Sequence, residues 1–243
     1  MSTIEVGAGL VQNGLIMYID AANDRSYTSG TSWNDLTGNL ENGSLVNSPT
    51  FTSLSNDNAY FTFDGTNEYV DFGVANPING LSSVSFCAWV YLTSNASSIF
   101  FGKYNSNITP RVQNYMGVLV GGSLPTMYAA FGSNDWTAWS TSTTVPLNQW
   151  NHFVYSVSNP GSSATFYLNG QALTTTSSNT GAGAGSSISA ENSVSWLISR
   201  VTNISGVPVY YANSISSLYV YNRAITASEV LQNYTAGRYR FGV

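Results

Sequence analysis

Hydrophobic and polar residues alternate in short runs along most of the chain. Ala59 to Phe63, Ser83 to Leu92, Tyr115 to Val120, His152 to Val157, Ala164 to Leu168 and Ile215 to Tyr221 each repeat with a period of two. At that spacing a strand turns alternate side chains to opposite faces. Turn formers separate the runs: Asp64-Gly65, Gly121-Gly122, Asn159-Pro160-Gly161 and Asn169-Gly170. The last lies between Phe166-Tyr-Leu168 and Ala172-Leu173, and both of its residues tolerate the positive φ that a two-residue hairpin requires. The pattern predicts an all-β, mainly antiparallel two-sheet sandwich. Trp89, Trp150, Phe63, Phe153, Phe166 and Leu168 are its expected core anchors.

One helix interrupts the strands. Thr226-Ala-Ser-Glu229 has capping-box spacing, and Val230, Leu231 and Tyr234 form an apolar stripe that ends before Gly237, which predicts a short helix from Thr226 to Tyr234. Thr174 to Ser189 is rich in Ser, Thr, Gly and Ala without an apolar period, and is expected to be a mobile loop. No second domain is visible: residues 1–13 form an N-terminal arm, 14–234 a single domain, and 235–243 a C-terminal tail.

Composition narrows the partners. Of 243 residues only 8% are charged, against about a quarter in ordinary globular chains. Seven Lys plus Arg against twelve Asp plus Glu give a formal charge of -5, so no basic footprint exists for nucleic acid or an anionic membrane surface. Leu15 to Ile19 is the only apolar run near the start, and no basic residue precedes it. That is too short for a signal peptide or a membrane span, and the chain is expected to be made in the cytoplasm without export or membrane insertion.

Several segments in order carry a family resemblance: Gly14-Leu-Ile-Met-Tyr-Ile-Asp-Ala-Ala-Asn23, Ser26 to Asn39, Phe63-Asp-Gly-Thr-Asn-Glu-Tyr-Val70, Phe86-Cys-Ala-Trp-Val90, Trp150-Asn-His-Phe-Val-Tyr155, Phe166-Tyr-Leu-Asn-Gly170 and Tyr219 to Tyr234. Together they resemble the laminin G-like, concanavalin A-like jelly-roll domains, and the opening resembles a subgroup common in tailed phages. The resemblance covers residues 14–234. It implies a jelly-roll sandwich with one short C-terminal helix, and a virion surface location with a shell or tail protein as partner. Capsid decoration is the role it favours; a carbohydrate-binding adhesin or receptor-binding module is the alternative, and a polysaccharide hydrolase is third. Homo-oligomers are compatible with it. Where many members carry Gly-x-Ile-Asp-Glu-Val before the last helix, this chain has Ser214-Ile-Ser-Ser-Leu218, which loses two carboxylates and the calcium site they would support.

The candidate chemistry follows from residue types. Glycoside hydrolysis needs two carboxylates facing one bond, and no Glu-x-Asp-x-x-Glu strand is present; Glu68 and Asp71 fall on opposite faces of a strand. No catalytic residue is expected. His152, the only histidine, and Cys87, the only cysteine, read as strand residues. Asp64, Asp57 and Asp135 are the available calcium ligands, but they form no recognisable loop, so no cofactor or metal is expected beyond calcium by family analogy. Aromatic residues offer a better lead, because a ring face stacks on a sugar while Asn and Asp bond its hydroxyls. Trp136 and Trp139 with Asn134 and Asp135 are the candidate glycan-binding rim, joined by Tyr104, Asn105 and Arg111 from the loop before the Tyr115 strand. Arg238, Tyr239, Arg240 and Phe241 form the one basic cluster. Beside the N-terminal arm they are expected to dock the domain on a particle.

Overall fold

The computed structural model describes residues 9–39, 42–54, 58–74, 77–105, 107–108, 110–120, 124–132, 136–180, 187–202 and 206–243, with the side chains of 179 and 180 excepted. Among them, two sheets pack face to face. The first runs Gln171–Leu173, Ser163–Leu168, Trp150–Asn159, Val84–Tyr91, Ala212–Tyr221, Ala59–Asp64 and Thr50–Ser53 from edge to edge, and Leu15–Asp20 also pairs with Ala212–Tyr221. The second runs Thr175–Thr180, Trp136–Thr144, Pro125–Gly132, Val112–Val120, Ser98–Asn105, Leu197–Ile198, Tyr69–Asp71, Gly43–Val46 and Ser32–Trp33. A hairpin of Arg200–Thr202 and Pro208–Tyr210 attaches to the Ser98–Asn105 strand. This is the antiparallel two-sheet sandwich that the alternation predicts, and it is consistent with the jelly-roll that the resemblance implies. Asn169 and Gly170 both have positive φ, at 50° and 81°, as their hairpin demands.

Alternation becomes packing in the Val84–Tyr91 strand. Val84, Phe86, Ala88 and Val90 point into the main core, where Phe86 stacks on Phe131 of the second sheet with ring centroids 6.2 Å apart. Cys87 and Trp89 point the other way and are also buried, because the C-terminal segment covers that outer face. A second apolar cluster there unites Cys87, Val154, Tyr219, Tyr221, Ile225 and Val230. All six expected anchors are buried, but Trp89 and Trp150 anchor this outer layer and not the space between the sheets.

The helix spans Ala227–Arg238, with Thr226 as N-cap and the reciprocal Glu229 bond in place. It runs four residues beyond the predicted end because Gly237 lies against Trp89: a Cβ there would sit 2.7 Å from the indole nitrogen. The predicted Thr174–Ser189 loop is also corrected. Thr175–Thr180 is an edge strand paired with Trp136–Thr141; the exposed Thr176, Ser177 and Ser178 suit an edge, which leaves no apolar period to read. Residues 181–186 and the Gly121-Gly122 turn lie outside the described residues.

Candidate functional site

A cluster of tyrosines marks the outward face of the second sheet. Phe101, Met116, Ala129, Phe131 and Trp139 belong to the core, so their strand neighbours face away from it. Strand register places Gly102 opposite Tyr115, Tyr115 opposite Ala130, and Gly117 opposite Tyr128. Three tyrosines thereby gather where the residues between them are small. Tyr104 meets Tyr115 edge-on at 5.3 Å, and Tyr115 stacks on Tyr128 at 6.0 Å and 28°. Gly102 is needed for this: a Cβ on it would lie 2.5 Å from that of Tyr115.

The hairpin walls the same face. Tyr104 and Tyr115 line a groove of about 220 Å³ together with Tyr211, and Ile99, Leu119, Val201 and Val209 complete it. None of these side chains is charged, and all three tyrosines are half-buried. Burial, reinforced by Tyr128 and Tyr104 nearby, pushes the Tyr115 phenol far above its usual value. Burial and Tyr104 push Tyr211 up to about 12. Both therefore stay protonated, able to donate and accept, across the physiological range.

Of the predicted rim residues, Tyr104 is in this groove, at the end of the Ser98–Asn105 strand and not on a loop. Asn105, half-buried, follows it and accepts a bond from the Asn107 amide. Arg111 is exposed just before the Val112–Val120 strand. Trp136 is half-buried on the same outward face, opposite Gly132, three strands from Tyr104 and so about 14 Å away. Trp139 corrects the expectation. Three residues along a strand is an odd step, which turns it to the opposite face; it is buried in the core with its indole donating to the Pro160 carbonyl at 2.9 Å, and no ligand can stack on it. Asn134, Asp135 and Asp57 lie outside the described residues. Tyr115, Tyr128 and Tyr211 were not singled out from sequence, and the available signal was an aromatic ring at the outward position of an otherwise core-facing strand.

The C-terminal docking arm is corrected as well. Arg240 makes a bidentate pair with Asp20, both bonds 2.7 Å, and Phe241 stacks on Trp89 at 4.4 Å and lies tilted against Trp150 at 4.8 Å. An arginine and a ring beside an aromatic wall with a buried carboxylate find their partners within the domain. Tyr239 and Arg238 remain exposed. Residues 9–13 are tied down too: the Val11 amide donates to Asn233, and the Tyr221 hydroxyl donates to the Val11 carbonyl. Residues 1–8 lie outside the described residues.

The remaining reactive groups are engaged structurally. His152 is fully buried, hydrogen-bonded to the Tyr219 hydroxyl. Burial likewise pushes the Cys87 thiol well up. Asp64 accepts from the Thr66 amide at 2.7 Å in its own turn, and Glu68 accepts from the Asp64 amide. Among the described residues no group of three His, Cys, Asp or Glu is placed to hold a metal ion.

A family model for the concanavalin A-like lectin/glucanases superfamily matches residues 64–231. The chain belongs to this superfamily. No curated protein matches it. Among solved structures, this concanavalin A-like chain is similar to domain 4 of AbnA, an extracellular GH43 arabinanase from Geobacillus stearothermophilus solved with arabinotriose. The TM-score is 0.62 at 18% identity, covering 90% of this chain and 98% of that one. The binding domain of Paraclostridial Mosquitocidal Protein 1 gives 0.63 at 14% identity, covering 91% and 52%. Trypanosoma rangeli sialidase gives 0.55 at 14% identity, covering 98% of this chain but 35% of the enzyme. The chain thus spans about a third of the sialidase. At these identities the likeness is one of fold.

Proposed function

We propose that this protein is a non-catalytic glycan-binding module that holds a saccharide in the tyrosine groove and is displayed on the surface of a tailed-phage particle. The observation that carries the glycan reading is the groove itself, where half-buried tyrosines offer ring surface and protonated hydroxyls on an uncharged sheet face. That combination matches a sugar ring, which presents C–H groups on its face and hydroxyls around its rim. Of the similar folds, one is named a binding domain and another was solved in complex with arabinotriose. The virion reading rests on the phage-like opening segments from Gly14 to Asn39. With Arg240 and Phe241 engaged in their own domain, attachment to a shell or tail protein would use another surface.

A glycan array followed by calorimetry tests the first part. Tyr115→Ala is expected to weaken the best ligand by about tenfold or more, ~1.4 kcal/mol, as loss of a stacked ring should, while Trp139→Phe, which loses the core bond to Pro160 and some stability, leaves the affinity unchanged. Binding untouched by Tyr115→Ala and Tyr104→Ala defeats the groove. The ligand should emerge intact from a reducing-sugar assay; sustained turnover would make the protein a hydrolase. Mass spectrometry of purified particles tests display: hundreds of copies indicate capsid decoration, a handful a receptor-binding adhesin at the tail, and absence removes the virion role.

A further inference from the structure

The groove lining joins phenol hydroxyls to aliphatic side chains, and this mixture selects among sugars. Resting on the glycan reading above, we infer that the groove takes one neutral pyranose unit that carries a methyl group, either a 6-deoxy sugar or an N-acetylated one. Size sets the first limit. About 220 Å³ lies below the ~300–1,000 Å³ of sites for drug-sized ligands, so the groove itself seats a single ring. Charge sets the second. No lining residue is ionisable near neutral pH and the chain carries a net charge of -5, so a carboxylate on a uronic or sialic acid would lose its hydration without gaining a cation.

The lining sets the third limit. Tyr104, Tyr115 and Tyr211 bring three hydroxyls, that of Tyr115 also bonded to Tyr128, whereas Ile99, Leu119, Val201 and Val209 bring four aliphatic side chains to the same small space. An ordinary hexose carries hydroxyls around its whole rim, so one of them would be buried against these side chains without a partner. Replacing that hydroxyl by hydrogen, as in a 6-deoxy sugar, or presenting an acetamido methyl there, converts the mismatch into apolar contact. The tyrosines then bond the remaining hydroxyls.

Calorimetry with matched pairs tests this on the full chain: L-fucose against L-galactose, L-rhamnose against L-mannose, and N-acetylglucosamine against glucose, with glucuronic acid and N-acetylneuraminic acid beside them. At least one methyl-bearing member is expected to bind about tenfold or more tighter than its partner, the usual reach of an apolar pocket for one group. The pair that responds identifies the source of the methyl. Val209→Thr, at a half-buried hairpin position, should shrink that ratio while thermal melting stays unchanged. Equal affinity within every pair, or tighter binding of an acidic sugar, overturns this inference and leaves the glycan reading standing. Binding of no saccharide at all, or binding indifferent to Tyr115→Ala, overturns the groove reading itself.

Discussion

His152 carries the clearest pH dependence of any side chain in the fold. Burial pushes its pKa down from 6.5 to about 3, so the native state holds it neutral while the unfolded chain takes up a proton near pH 6.5. Stability therefore falls as pH drops below that value, by up to ~1.4 kcal/mol per pH unit, until about pH 3. Carboxylates act later: Glu229, whose pKa is held near 2 by its bond from Arg223, contributes stability that is lost only as pH falls below about 4.5. Chemical denaturation at pH 6.5 and pH 5 should show this slope in the wild type and a flatter one in His152→Gln. Equal slopes would mean that the histidine is not buried neutral. From sequence alone His152 reads as a strand residue and no more, because its Tyr219 partner lies 67 residues away and nothing local announces burial on both faces of a sheet.

At the scale of elements, the C-terminal helix and the turn after it act as a third layer over the first sheet. Asp20 is only 4% exposed, and apart from Arg240 it keeps just the Tyr18 hydroxyl and the Ala22 amide. Arg240→Ala strands a buried carboxylate and is expected to cost ~3 kcal/mol or more in urea unfolding; a loss under about 1 would place the pair in solvent. Strand alternation and the capping box were readable because each is a local pattern. The tail was not: Arg238-Tyr-Arg-Phe241 looks like an outward basic cluster until Asp20, 220 residues away, and two tryptophans from different strands are brought beside it. The groove was hidden for the same reason. Tyr104, Tyr115 and Tyr211 come from three separate segments, and only the sheet register and the hairpin unite them. Trp136 and Trp139 drew attention by closeness in sequence, yet an odd spacing in a strand separates them by the thickness of the sheet.

The whole molecule is closed by contacts between distant parts of the chain. Leu15–Asp20 pairs with Ala212–Tyr221, which is also the neighbour of Val84–Tyr91 and Ala59–Asp64 in the middle of the first sheet. Such non-local pairing places refolding in the slow range, milliseconds to seconds, for a sandwich of this kind, and stopped-flow tryptophan fluorescence should find it there. A fragment of residues 1–211 is expected to lack cooperative unfolding, since it exposes strand edges on both sides of the missing centre. That arrangement also has a consequence for biosynthesis. The strand at the middle of the sheet is translated after all three strands that pair with it, so the nascent chain must hold more than a dozen aromatic strands in the open until it leaves the ribosome. Its few charges do little to keep those strands apart. Yield in a cell should therefore respond more to translation speed and chaperone supply than to the stability of the finished sandwich.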